Sequence, residues 1–210
     1  MQQLALVIAL AAFAYVLGSV PWGLVIARTF CGVDPREAGS HNTGATNVAR
    51  LCGFGWGVAT LACDLLKGAF FVCLALLEGV GAPGITVIAL AAILGHVFSC
   101  FMQFRGGKAV ATSIGVFLPI AFIPLLIACV LCIVVIGVSG FVSLGSLTLV
   151  VALPILLILF GRWEWLVLAL CVLAVVTWRH KENIIRLRAG QEKPWLRSRQ
   201  KDAAAAPEPK

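Results

Sequence analysis

Four clusters of polar residues interrupt an otherwise apolar chain, and each carries groups able to hold an anion. The largest runs Asp34-Pro35-Arg36-Glu37-Ala38-Gly39-Ser40-His41-Asn42-Thr43-Gly44-Ala45-Thr46-Asn47-Val48-Ala49-Arg50. Its short hydrogen-bonding side chains and glycines suit a backbone that closely approaches a phosphate, and Arg50 adds a fixed charge. The alternative is a solvated loop between two helices. The second cluster, Arg105-Gly106-Gly107-Lys108, opens a helix that runs through Thr112 and Ser113. Two glycines can turn successive N–H groups inward, a helix start adds its positive dipole end, and Lys108 supplies a point charge, which together make an anion site. A basic turn at a membrane surface is the competing reading. It is not a Walker loop, because Ala109 stands where Ser or Thr is required and Met102 stands where the first glycine is required.

Asp64 and Lys67 are spaced i, i+3 on one helix face inside an apolar run. Each charge at mid-bilayer costs about 3 kcal/mol, so the two are expected to pair or to face an internal polar site. The fourth cluster, Arg179-His180-Lys181-Glu182-Asn183-Ile184-Ile185-Arg186, leaves the last apolar run as a helix. His180 and Asn183 can point back into the protein while Lys181 and Arg188 meet headgroups, and a basic juxtamembrane anchor accounts for the same residues. Ser143 and Ser146 open another apolar run and read as capping or packing serines. His41, His96 and His180 form no HExxH pair, and so few acidic residues accompany them that neither a metal nor another cofactor is expected. Five residues after these histidines stand Thr46, Phe101 and Ile185, so the His-x4-Asp dyad, in which a carboxylate orients a general-base imidazole, is missing.

The elements that position these clusters must lie in a membrane. Of 210 residues 61% are apolar and only 12% charged, which excludes a soluble globule, a disordered chain and a coiled coil. Runs of spanning length are Leu4–Ala27, Phe54–Leu77, Gly84–Phe104, Leu144–Phe160 and Trp163–Trp178. The run Ala109–Gly140 is too long for one span, and Pro119 and Pro124 favour a break into two shorter helices. With that break there are seven spans, and fourteen of the sixteen cations share one side, leaving Arg162 opposite and Lys67 within a span. Six spans would divide the cations six against nine, against the positive-inside tendency. The expected fold is therefore an all-α integral membrane protein, a bundle of seven transmembrane helices with the N-terminus outside (periplasmic) and the C-terminus cytoplasmic.

One transmembrane domain over residues 1–200 and a disordered Ala/Pro/Glu-rich tail over 201–210 are expected. The net charge of +7 points to anionic headgroups or an anionic substrate rather than nucleic acid. Among the eight cysteines, Cys63, Cys73, Cys129, Cys132 and Cys171 fall inside apolar runs and read as inert small hydrophobes. The Cys129/Cys132 spacing lacks a basic neighbour or a second ligand pair. The first apolar run lacks a basic n-region and reads as a retained helix rather than a signal peptide.

Taken together, the clusters resemble the bacterial PlsY family, the membrane acyl-phosphate:glycerol-3-phosphate acyltransferases. The resemblance rests on seven motifs in order: Gly18-Ser19-Val20-Pro21-Trp22-Gly23; Gly39-Ser40-His41-Asn42 with Gly44-Ala45-Thr46-Asn47 and Arg50; Asp64 with Lys67-Gly68; Gly95-His96; Arg105-Gly106-Gly107-Lys108 with Val110-Ala111-Thr112; Val142-Ser143-Leu144-Gly145-Ser146; and Arg179-His180-Lys181-Glu182-Asn183.

The resemblance implies that the 1-hydroxyl of sn-glycerol 3-phosphate attacks a long-chain acyl phosphate in the cytoplasmic (inner) membrane, giving lysophosphatidic acid and phosphate. That is the first acylation of phospholipid synthesis. It implies catalytic roles for Ser40, Arg50, Lys108, His180 and Asn183, and phosphate binding by Asn42, Thr46, Asn47, Lys67, Arg105, Gly106, Gly107 and Ser143. It implies no cofactor, no nucleic acid, membrane lipids as surroundings, and an acyl-phosphate-producing enzyme as a partner. The hydroxyl proton is expected to be removed by a substrate phosphate, with His180 positioning rather than deprotonating. The chain departs from the family pattern where His41 and Ala109 replace glycine and Arg105 replaces lysine. A transporter of phosphorylated metabolites is the alternative of another class, although no internal repeat supports it. An alcohol phosphotransferase would want an Asp-rich metal-binding helix, whereas Asp64 is the sole aspartate in a span.

Overall fold

The structure, a computed structural model, describes residues 1–195, and the tail expected at 201–210 lies outside the described residues. Those residues form ten α-helices and contain no strand. They are α1 Gln2–Ser19, α2 Trp22–Cys31, α3 Ala45–Cys52, α4 Phe54–Leu77, α5 Ala82–Val97, α6 Val110–Phe117, α7 Phe122–Ser139, α8 Val142–Leu159, α9 Leu166–Arg179 and α10 Lys181–Arg188. Large apolar side chains face both ways. Phe117, Ile88, Leu157 and Leu168 are fully buried in the bundle, while Leu77 and Val138 are more than four-fifths exposed on its outside. Such an exterior is a liability in water and the expected surface in lipid.

Five stretches are long and apolar enough to cross a membrane: Gln2–Cys31, Phe54–Leu77, Ala82–Met102, Phe122–Ser139 and Val142–Leu159. A sixth arises if α9 and α10, bent by 62° at His180, count as one span. Pro21 explains the break between α1 and α2, since it has no N–H to continue the helix. The break expected in the Ala109–Gly140 run falls at residues 118–121, around Pro119, whereas Pro124 sits in the first turn of α7, where its missing N–H is no loss. The expected seventh crossing corresponds to α6, whose eight residues cover only about 12 Å at 1.5 Å per residue. Close backbone contact holds α6 beside α4. Gly68 lies against the Thr112 carbonyl and Gly115 against the Leu65 carbonyl, so any side chain at either glycine would collide with the partner helix. Beyond α6 the chain reaches the end of the bundle opposite the polar clusters, where Arg162 Nη2 donates to the Ile120 carbonyl at 2.7 Å.

Candidate active site

Three of the four clusters, joined by Asp64 of the other, converge on one cavity of about 880 Å³ at one end of the bundle. The loop from Val33 to Gly44 is shaped by Asn47, which is 1% exposed. Its Oδ1 accepts the Ser40 N–H at 2.8 Å, and its Nδ2 donates to the carbonyls of Pro35 (2.8 Å), Ala38 (3.1 Å) and Asn42 (2.8 Å). Every polar atom of Asn47 is thus committed to the loop, and the residue serves as its pin rather than reaching the cavity. Asn42 Oδ1 accepts the Gly44 N–H at 2.8 Å and starts α3, which carries Thr46 and Arg50. Ser40, Asn42, Thr46 and Arg50 line the cavity. His41 keeps the left-handed backbone, φ 52°, that the family's glycine suggests, with Nδ1 3.0 Å from the Arg36 carbonyl.

The Arg105–Lys108 segment is built differently from the amide nest its glycines suggested. Gly106 N–H donates to the Val97 carbonyl at 2.9 Å and Gly107 N–H to the His96 carbonyl at 3.1 Å, so neither is free for an anion. The carbonyls are taken as well: Arg179 donates through Nη2 to Gly106 O at 2.6 Å and through Nε to Gly107 O at 3.1 Å. Glycine is needed here because a Cβ at either position would run into His96, its carbonyl in one case and its ring in the other. What the segment offers is a rigid mount. Lys108 projects from it into the cavity, and its Nζ donates to Asn183 Oδ1 at 2.5 Å. Burial, with the nearby Arg186 and Arg179 charges and against the pull of Glu192, brings its pKa down to about 8. Arg105 and Gly106 line the same cavity; Gly107 does not. Ala109, φ 60°, turns the chain into α6.

The 62° bend between α9 and α10 aims the last cluster inward. His180 is 2% exposed, and its Nδ1 lies 2.8 Å from the Val176 carbonyl. A carbonyl can only accept, so Nδ1 carries the proton and Nε2 keeps its lone pair. Burial and the neighbouring Lys108 charge push the ring's pKa down to about 4, which makes it neutral at physiological pH and a weak base. Ser143 Oγ and Asn183 Nδ2 both donate to Glu192 Oε1, at 2.7 and 2.6 Å, at the cavity's edge.

Lys67 stands apart. Its Nζ lies 2.8 Å from Asp64 Oδ1 and donates to the Val20 carbonyl at 2.8 Å, a carbonyl that also accepts the Trp22 N–H at 3.1 Å in the break between α1 and α2. His96 Nδ1 is 3.7 Å from the same carboxylate oxygen and 3.2 Å from Thr112 Oγ1. Asp64, Lys67 and His96 line a small void of about 10 Å³, the size of one water molecule; Asp64 and His96 also border the large cavity, whereas Lys67 does not. Of the residues singled out from sequence, Ser40, Asn42, Thr46, Arg50, Arg105, Gly106, Lys108, Ser143, His180 and Asn183 come together, while Asn47, Lys67 and Gly107 support them from outside. Two residues escaped the sequence reading. Arg179 was legible only as one cation in a basic run, and Glu192 follows Gly190-Gln191 with no pattern to mark it.

Comparison with known proteins bears on this geometry. A family model described as glycerol-3-phosphate acyltransferase matches residues 8–190. The chain belongs to the glycerol-3-phosphate acyltransferase family. It is 69% identical over 194 residues, 92% of its own length and 87% of the other's, to a glycerol-3-phosphate acyltransferase of Desulfovibrio desulfuricans (strain ATCC 27774 / DSM 6949 / MB). It is also similar to the crystal structure of PlsY (YgiH), an integral membrane glycerol 3-phosphate acyltransferase, in its glycerol 3-phosphate form, with 36% identity and a TM-score of 0.86 over 90% of this chain and 94% of that one. The lysophosphatidic acid form of that protein gives 35% and 0.84 over the same shares. All seven motifs fall inside the matched segment. As a member of this family the chain is an acyltransferase and a multi-pass membrane protein, and the transporter alternative falls away.

Proposed function

We propose that the large cavity transfers a long-chain acyl group from an acyl phosphate to the 1-hydroxyl of sn-glycerol 3-phosphate, releasing lysophosphatidic acid and inorganic phosphate. Acyl transfer to glycerol 3-phosphate is the family's reaction; the acyl phosphate donor and the residue roles are this reading's own. The observation that carries it is the joining of Lys108, Asn183 and a neutral His180 in one cavity with Arg50, Ser40 and Ser143. Arg50 and Lys108 hold the phosphates of both substrates and offset charge on the departing phosphate, while Ser40, Asn42, Thr46, Ser143 and Asn183 orient them by hydrogen bonds. Arg105 adds charge at the rim.

His180 Nε2 accepts a hydrogen bond from the glycerol hydroxyl and aims it. A ring whose pKa lies near 4 does not hold the proton at neutral pH, so the proton passes to a substrate phosphate. The hydroxyl oxygen bonds to the acyl carbon, the tetrahedral centre collapses, and the bond to the phosphate oxygen breaks with its electron pair leaving on phosphate.

In this reading α6 with its flanking turns makes the seventh crossing, the N-terminus lies outside, and the cavity opens to the cytoplasmic face of a bacterial inner membrane. The distribution of cations supports that orientation. An acyl-phosphate-producing enzyme then supplies the donor from the same side. The test is purified protein given palmitoyl phosphate and glycerol 3-phosphate without added metal, with palmitoyl-CoA as the control donor. Lysophosphatidic acid is expected with the acyl phosphate alone; product from the CoA ester alone, or a strict need for metal, overturns the mechanism.

A further inference from the structure

Residues 191–195 lie beyond the segment matched by the family model, yet three of them, Glu192, Lys193 and Pro194, line the cavity. The chain reverses after α10 at Gly190, φ 66°, with Gln191 N–H on the Arg186 carbonyl at 2.8 Å. It then crosses to the turn between α7 and α8, where Trp195 N–H donates to the Gly140 carbonyl at 2.8 Å. This strap places the Glu192 carboxylate among the cavity's donors. One oxygen accepts from Ser143 and Asn183, and the other accepts from Arg186 Nε at 2.7 Å. Burial pushes the carboxyl up, but the hydrogen bonds from Arg186, Ser143 and Asn183 outweigh it and hold the group below its ordinary value, so it is ionised.

A carboxylate and a phosphate present the same kind of oxygen to the same donors, and here Glu192 already holds two of them. The single Ser143 proton and one of the two amide N–H of Asn183 point at Glu192, while Asn183 Oδ1 is taken by Lys108. An arriving phosphate cannot share them, because two anions repel at contact and compete for the same hydrogens. Departure keeps the carboxylate paired. Glu192 is 10% exposed but its partner Arg186 is 40% exposed, at the rim, where the ion pair can move outward together. We propose that Glu192 is a built-in anion that occupies the phosphate donors in the resting protein and is displaced by the substrate phosphate, so that it sets the affinity for phosphate. This rests on the assignment of Ser143, Asn183 and Lys108 as phosphate donors.

Two measurements on the purified full chain test it, with inorganic phosphate as the probe. In equilibrium binding, Glu192→Gln is expected to bind phosphate three- to tenfold more tightly than wild type. In hydrogen–deuterium exchange of the wild type, phosphate is expected to speed exchange across residues 190–195 as the strap lets go. Unchanged or weaker binding by a folded Glu192→Gln protein, or slower or unchanged exchange in the strap of the wild type, overturns the proposal. The exchange arm decides the matter if Glu192→Gln does not fold. Lys108→Ala separates the underlying assignment: if it binds phosphate as well as wild type does, the assignment of the donors fails and takes the inference with it. If it loses binding while Glu192→Gln gains none, the inference alone fails.

Discussion

Lys108 Nζ and Asn183 Oδ1 meet at 2.5 Å although 75 residues separate them in the chain. The contact joins the mount between α5 and α6 to the bent end of the bundle. It also fixes the Asn183 amide, whose oxygen faces the lysine and whose nitrogen faces Glu192.

In the proposed mechanism Lys108 must be charged to hold phosphate, and its pKa is drawn down to about 8. The charged form is lost as pH rises through that value, so kcat/KM is expected to fall on the alkaline side with a midpoint near pH 8. Lys108→Ala is expected to abolish nearly all activity. Lys108→Arg, which stays charged at all accessible pH, is expected to lose the alkaline limb while keeping a remnant of activity. A pH profile of that variant that still falls near 8 assigns the limb to another group.

Arg179 borders the cavity, but its guanidinium is committed to the backbone it holds. Its planar fork spans two consecutive carbonyls, a geometry an ammonium cannot copy. Arg179→Lys is expected to lower kcat about tenfold, or about 1.4 kcal/mol, with KM for glycerol 3-phosphate moving less than twofold. Steady-state kinetics at saturating donor checks it, and an unchanged kcat would show that the glycine segment holds its shape without the clasp.

Asp64 and Lys67 form a pair whose side chains are 4% and 2% exposed. Removing one partner strands the other, so Asp64→Leu and Lys67→Met are each expected to cost about 3–5 kcal/mol, while the double change costs much less than their sum. Unfolding in mixed micelles measures the cycle. Asp64 borders the large cavity whereas Lys67 does not, so the folded double variant is expected to keep activity within about tenfold of wild type, and a loss of a hundredfold would place the pair in the substrate site.

Ala109 holds φ 60° just before α6 and is 1% exposed. Ala109→Gly is expected to stay within about 1 kcal/mol of wild-type stability, since relief of strain offsets the lost methyl. Ala109→Val, β-branched at the same angle, is expected to lose about 2 kcal/mol or more. Thermal unfolding of the two variants side by side decides whether the left-handed turn is as demanding as its angle suggests.

Elements with a strong one-dimensional signal were legible before any coordinates. Long apolar runs gave the spans, and Pro119 gave the break before α7, because hydropathy and a missing N–H are properties of the residues themselves. Ser40, Arg50, Lys108 and Asn183 were legible because small polar and cationic side chains are costly in such a chain unless something needs them. The job of each glycine was not legible. Gly106 and Gly107 have the composition of an anion nest, yet their N–H groups are already bonded to Val97 and His96, a pairing that depends on where α5 ends. Asn47 misled for a related reason: one amide can bind a ligand or three carbonyls, and only the loop's path selects between them. The length of α6 was hidden too, since hydropathy cannot distinguish an eight-residue helix between turns from a full crossing.

The bend at His180 has a bearing on how the protein matures. Arg179, on one side of it, locks the glycine segment, and Asn183, on the other, receives Lys108. Both follow in the chain the segments they hold, so the glycine segment and Lys108 are made before the residues that fix them.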